Sequence, residues 1–286
     1  MTTISSFRTA DLRFDLPPGA GSDAVHTDPQ YGYAVTLLEA DDGQVGTGIN
    51  YTLGGGTNLV CSAIELLVEP ILGQEIEELM SNFGEVQRGI AEHHQLRWLG
   101  PHKGVTHAAL ASITIACFDL WAKSRGVPLW KLLLDLTTEQ LVNLIDLSYL
   151  EDELTREEAI EIVESQRAGR EGRQGVLQTG YPGYDTSVGG IQYSDDKIRE
   201  NARKAVDRGF TAMKLKVGSP DSARDIRRVH LIREEVGSSA QIMLDANQAW
   251  NLPRALDMCG KLCEIHPFFI EEPTQPDDSD CPQENC

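Results

Sequence analysis

An α+β domain followed by an α/β domain with a parallel sheet is the fold class that the sequence predicts. Three observations carry it. The chain has 286 residues, 41% of them hydrophobic, enough for one large core or two ordinary ones. Residues 4–53 read as strands and turns, whereas from about Thr57 the apolar residues recur every three or four positions. Beyond about Gln140, strand-like and helix-like runs alternate, and such alternation means a parallel sheet.

The strand-rich part consists of FRTADLRFDL, YGYAVTLLEA and QVGTGINYTL, the last two joined by Asp41-Asp42-Gly43. Asp-Gly between β-prone runs is a strong hairpin signal. In the helical part, Ala108, Ala111, Ile115, Phe118 and Ala122 predict one apolar stripe on a helix that stops near Gly126-Val127-Pro128. Gly54-Gly55-Gly56 reads as a turn, because no Gly-Lys-Ser/Thr follows as in a phosphate-binding loop. In the alternating part, TAMKLKV (211–217), QIMLD (241–245) and PFFIE (267–271) read as strands. Between them lie a helix carrying Ile226, Val229, Ile232 and Val236 on one face and another that starts near Pro253. GYPGYDTS (180–187) with Ile198, Ala202, Ala205 and Val206 adds one more strand and helix. A doubly wound open sheet and an eight-stranded barrel are the two natural closures of this pattern.

Composition excludes several function classes. Lys and Arg number 25 against 44 Asp and Glu, a formal charge of -19, so the chain as a whole repels nucleic acid and anionic membrane surfaces. No run approaches the roughly 18 uninterrupted apolar residues of a membrane span, which predicts a soluble protein. The N-terminus has no apolar core of a secretory signal, and Asp11 and Asp15 spoil the pattern of a transit peptide. Six scattered cysteines suit reduced thiols inside a cell. Cys259, Cys263, Cys281 and Cys286 do not have the usual spacing of a zinc site.

The polar residues at the predicted strand ends are Lys214 and Lys216, then Asp245, then Glu271. Lys216 to Asp245 is 29 residues and Asp245 to Glu271 is 26, about one strand-helix unit each. Equivalent ends of neighbouring parallel strands form the ligand site in either closure. A single such residue is usually a solvated rim group. Three in register point elsewhere: two carboxylates from adjacent strands suit Mg²⁺, and a lysine beside the metal suits a base that takes a proton from the carbon next to a bound carboxylate.

KLKVG (Lys214 to Gly218), MLDANQ (Met243 to Gln248) and FIEEPT (Phe269 to Thr274) resemble the successive strand ends of the enolase superfamily, mandelate racemase subgroup. SDAVHTDPQYGY (22–33), NYTLGGG (50–56), QLRWLGPHKGV (95–105), FDLWAKSRGVPLWKLL (118–133) and GYPGYDTS extend the resemblance to the L-fuconate dehydratase branch, over about residues 6 to 278. It implies an α+β N-terminal capping domain at 1–135 and an α/β modified TIM barrel at 136–278, here with only about the first four strands. A substituted tail at 279–286 follows. By the same resemblance Lys216 is the base, Lys214 touches the substrate, Asp245 and Glu271 hold Mg²⁺, and Asn247 stands behind them. A loop with Gly21, Ser22, Asp23 and Tyr31 is expected to reach over the barrel mouth and select a sugar acid.

The implied reaction is dehydration of an aldonate to a 2-keto-3-deoxy acid, with L-fuconate first and L-galactonate or L-rhamnonate behind it. The partner is a small sugar acid, with no nucleic acid or membrane, and a homo-oligomer is compatible. A mitochondrial location follows from the resemblance only. Two features depart from the family pattern. None of the seven histidines lies beyond Glu271, where the family's proton donor is expected, and a third metal carboxylate would fall near position 296. The expectation is a truncated, inactive chain, with a noncatalytic interaction protein or an unstable isoform as the alternative. Gly190 also stands where a bulky aromatic is expected.

Overall fold

In the computed structural model, which describes residues 1–100 and 104–277, strand β1 (Ile4–Phe14) pairs antiparallel with β2 (Tyr31–Ala40), and β2 with β3 (Val45–Thr52). Gly43, at φ 84°, makes the β2–β3 turn expected from Asp-Gly. Helices α1 (Thr57–Leu67), α2 (Ile76–Ser81), α3 (Phe83–Ala91), α4 (Val105–Ser124), α5 (Leu129–Asp135), α6 (Thr138–Asn143), α7 (Arg156–Ser165) and α8 (Arg170–Thr179) follow. Thr137 and Thr155 open α6 and α7 with reciprocal capping boxes to Gln140 and Glu158.

Alternation on β2 turns Ala34, Thr36, Leu38 and Ala40 into the first core, against α1 and α4. Helix α4 lies unusually close to β3 because β3 presents Gly46 and Gly48. A Cβ on Gly48 would stand 1.8 Å from the Ser112 carbonyl oxygen, and one on Gly46 2.3 Å from that of Ala116. The contact is also polar: the Thr36 and Ser112 hydroxyls are hydrogen-bonded at 2.7 Å. Gly48→Ala must push the helix off the sheet and is expected to cost about 3 kcal/mol or more, the upper end of overpacking effects. Gly55→Ala, with open space around its new methyl, is expected to stay within about 0.5 kcal/mol. Urea titration of both variants checks this, and equal midpoints would disprove the close approach.

The α4 helix is found where periodicity puts it, and Ala122 is buried while Ala108 and Phe118 pack against the core, but the inward face is rotated from the expected stripe. Ala109, Ile113, Ala116, Cys117 and Leu120 are buried, while Ile115 is exposed. The helix is apolar over most of its circumference, so its pattern does not select a face; the glycines of β3 do. It is also, among the described residues, the one helix long and apolar enough to cross a membrane. The expectation that no such segment exists holds only for uninterrupted runs, since Asp119 and Lys123 interrupt this one. Its buried face packs in the first core.

The second sheet is parallel, in the order β4 (Asp185–Gly189), β5 (Ala212–Lys216), β6 (Gln241–Asp245), β7 (Phe269–Glu271). Helices α9 (Asp195–Asp207), α10 (Ser222–Val236) and α11 (Leu252–Leu262) connect the strands. Consecutive strands are neighbours without the reversal of order that a doubly wound sheet requires, which is the winding of a barrel. Val188, Met213, Leu215, Ile242 and Leu244 form the second core with Ile198, Ala202, Val229, Ile232 and Met258. Val206 is exposed, contrary to its expected place on the buried face of α9.

Contacts group the chain into two compact units. One joins Met1–Phe14 with Gln30–Tyr181, and the other joins Asp15–Pro29 with Pro182 onward. Helices α6, α7 and α8, which lie beyond the expected division at 135/136, group by their contacts with the first unit. The loop 15–29 groups with the second. The expected tail at 279–286 lies outside the described residues.

Candidate active site

The register of the second sheet makes the site. Lys216 of β5 pairs with Asp245 of β6, and Asp245 with Glu271 of β7, so all three stand level at the carboxyl ends of their strands. Lys214 lies two residues earlier on β5 and therefore on the same face. The four side chains meet. Lys216 Nζ donates to Asp245 Oδ2 at 2.6 Å and to Asn247 Oδ1 at 2.9 Å. Lys214 Nζ donates to Glu271 Oε2 at 2.6 Å and stands 3.3 Å from Asp245 Oδ2.

Asp245 and Lys214 are buried, whereas Glu271 is half-exposed. Burial alone would draw the Lys214 ammonium down. The hydrogen bond to Glu271 and the charges of Asp245 and Glu271 outweigh it and hold the group above the ordinary lysine range. The ring of Tyr184, 5.4 Å from Lys214 Nζ to its centroid, faces the same ammonium. Tyr184 is a site residue that the strand-end pattern misses, because it precedes β4; its place in GYPGYDTS was the available signal.

The loops after β6 and β7 are strained where they leave the site. Asn247, Gln248 and Glu272 adopt positive φ of 47°, 62° and 46°, a region that costs non-glycine residues energy and clusters at functional sites. Asn247 also donates its backbone N–H to Asp245 Oδ1 at 3.0 Å. It therefore ties Asp245 to Lys216 directly.

Residues 15–29 lie on these strand ends. The Ser22 carbonyl accepts from Ile191 N at 2.9 Å, and its hydroxyl accepts from Gln192 N and donates to the Gly19 carbonyl. A Cβ on Gly218, just after β5, would meet the Cβ of Ala24 at 3.0 Å. Gly21 turns the loop at φ 69°. Asp23 accepts from Val25 N and His26 N at 2.8 and 2.6 Å. Burial would raise the Asp23 carboxyl, but these amides and the His26 ring lower it below the usual carboxylate range. The carboxylate of Asp23 thus holds the loop's own fold, while Ser22 also ties the loop to Ile191 and Gln192 beyond β4. Tyr31 belongs to the first unit, where its ring meets that of Tyr51 edge-on at 5.2 Å. Gly190 has its place explained: a side chain there would press on the Gly19 carbonyl and the Tyr193 ring, which lie 3.1 and 3.3 Å from an added Cβ.

Two carboxylate oxygens from adjacent strands converge on one ammonium, the geometry and hard-oxygen chemistry that a divalent cation needs. Among the described residues no group of three or more His, Cys, Asp or Glu side chains gathers. Asp245 and Glu271 fit such an ion as two of its ligands.

Residues 17–133 match the mandelate racemase / muconate lactonizing enzyme N-terminal domain, and residues 197–282 match the enolase C-terminal domain-like family. The human protein named mitochondrial enolase superfamily member 1 is 42% identical over 96% of this chain and 63% of its own length. An L-galactonate dehydratase from Hypocrea jecorina is 38% identical over 96% of this chain and 62% of its own. The crystal structure of the human protein superposes with a TM-score of 0.91 at 41% identity, over 97% of this chain and 64% of that one. A racemase from Streptomyces coelicolor with bound magnesium gives 0.72 at 25% identity, over 96% and 64%. The chain spans less than two thirds of the length of each of these relatives. Both halves of the family signature occur in the family's order around a lysine-carboxylate site at the strand ends: the chain belongs to the mandelate racemase subgroup of the enolase superfamily.

Proposed function

We propose that this site abstracts the C2 proton of an acid sugar in a Mg²⁺-dependent dehydration, with L-fuconate as first substrate. The observation that carries the reading is the register of Lys216, Asp245 and Glu271 with Lys214 between the two carboxylates. Mg²⁺, held by Asp245 and Glu271 in this reading, supplies positive charge at the substrate carboxylate and so acidifies C2. Lys216 Nζ stands as the base at C2: the C2–H bond breaks and its proton passes to Nζ. Lys214, with the Tyr184 ring facing its ammonium, steadies the carboxylate end of the substrate. Gly21, Ser22, Asp23 and Tyr31 remain the proposed selectors of the sugar chain.

Loss of the C3 hydroxyl as water then leaves an enol that becomes the 2-keto-3-deoxy acid. That hydroxyl must be protonated as it leaves, a role to which no described residue is assigned. C2 exchange is therefore the step that the described residues support, and complete dehydration is the family's. L-Galactonate is the nearest alternative, since L-fuconate is its 6-deoxy form and the two share every stereocentre. The names of the human and bovine relatives support a mitochondrial location.

The test incubates the chain with Mg²⁺ in deuterated water and L-fuconate, L-galactonate or L-rhamnonate. Loss of the C2–H resonance is expected for at least one of them, with 2-keto-3-deoxy acid scored in the same tubes. Product would overturn the expectation of an inactive chain, and neither exchange nor product with any of the three would overturn the proposed reaction.

A further inference from the structure

Asp225 and Arg228 lie three residues apart on one face of α10, and both are 0% exposed. Charged residues are rarely fully buried unless their groups are engaged, and these two are engaged around one strand end. Arg228 Nη1 donates to the Lys216 carbonyl at 3.0 Å, and Nη2 donates to the Gly190 carbonyl at 2.6 Å and the Gly189 carbonyl at 3.4 Å. Asp225 Oδ2 accepts from the backbone N–H of Gly218 at 2.9 Å and of Ser219 at 2.8 Å. The two side chains also face each other, Nη1 to Oδ1 at 3.9 Å.

The last ladder pair between β4 and β5 is Gly189 with Leu215, so Lys216 lies one residue beyond the strand pairing on that side. The guanidinium takes over there: one planar cation bridges the terminal carbonyls of both strands. Two residues on, the carboxylate gathers the amides that turn the chain away. The segment from the Lys216 carbonyl to the Ser219 amide is thus held at both ends by one turn of α10. We propose that Asp225 and Arg228 are positioning residues, a buried clamp beneath β5 that sets where the Lys216 amine stands.

The clamp is a costly way to fill a helix-sheet interface. Burial pushes the Arg228 guanidinium down to about 10, with the charge of Arg224 adding to the effect and that of Asp225 opposing it; the group stays a cation at neutral pH. Apolar side chains of similar volume often stabilise such an interface as well or better. They would leave the carbonyls of Lys216 and Gly190 and the amides of Gly218 and Ser219 without these partners. The charged pair is placed where backbone position decides the reach of Lys216, whose Nζ already has two fixed acceptors in Asp245 and Asn247. Calling Lys216 a base rests on the proposed function; the clamp itself does not.

The test compares Arg228→Lys, whose single ammonium cannot bridge both strand ends, with Asp225→Asn and the unaltered chain. Labelling of Lys216 by an amine reagent, read by mass spectrometry against exposed Lys261, is expected to rise about tenfold in Arg228→Lys, the scale of a local opening. Amide exchange at Gly218 and Ser219 should rise with it, while Ile242 to Leu244 keep their protection. A folded Arg228→Lys chain labelled at the original rate overturns the inference. If that variant does not fold, Asp225→Asn decides by the same readings. Fast exchange of the Gly218 and Ser219 amides in the unaltered chain would overturn the inference without any variant. With an exchangeable acid sugar, kcat for C2 exchange should fall about 10²-fold while KM holds, as misplacement by about 1 Å does. Absence of C2 exchange in the unaltered chain counts against the proposed reaction and leaves the labelling result standing.

Discussion

Lys216→Ala is expected to lower C2 hydrogen exchange of the reactive acid sugar by about 10² to 10⁴, the usual contribution of a positioned acid or base. The fold should survive, because Lys216 is the last residue of β5 and its side chain reaches outward to Asp245 and Asn247 rather than into the second core. Alanine leaves Asp245 with Lys214 as its cationic neighbour at 3.3 Å, so the site does not collapse into unpaired charge. Lys261→Ala, which removes an exposed ammonium paired with Asp257, is the control and should leave exchange unchanged. The measurement is loss of the C2–H resonance at saturating Mg²⁺ and substrate. Exchange that persists in Lys216→Ala would move the proton transfer to another group, with Lys214 the first to examine.

What the sequence could show about this site follows from what strand spacing reports. Lys216, Asp245 and Glu271 were legible because each ends a short apolar run and because one strand-helix unit separates them. The parallel sheet then puts equal positions side by side. Asp225 and Arg228 were not legible. In a helix reading Ile226, Val229 and Ile232 as its apolar face, charged neighbours look like solvent-side residues, and only the position of the strand ends above them reveals the burial. The outward turn of Ile115 on α4 was hidden for the opposite reason: too many of the helix's residues are apolar, and the glycines of a different segment choose among them. The grouping of residues 15–29 with the barrel strands also depends on distant contacts, at Ile191 and Gln192, that no local pattern reports.

Mg²⁺ binding is expected to be weak, about 10⁻³ M, because affinity follows the number and rigidity of oxygen ligands and only two carboxylates are in place. The lysines add a competitor. Lys214 Nζ stands within 2.6 Å of Glu271 and 3.3 Å of Asp245, where a cation shared by the two carboxylates would have to come. Two unit charges about 4 Å apart interact by about 4 kcal/mol at an effective dielectric of 20, and even a third of that is about a tenfold change in affinity. Lys214→Met keeps most of the length of the side chain and removes its charge, so it should tighten Mg²⁺ about tenfold or more. Asp245→Ala should abolish binding, since Glu271 alone offers one half-exposed carboxylate. Isothermal titration of the three proteins at one ionic strength gives the comparison. A tight isotherm for the unaltered chain that survives Asp245→Ala would place the metal elsewhere. An unchanged affinity in Lys214→Met would mean that the ammonium and the metal do not contend for the same oxygens.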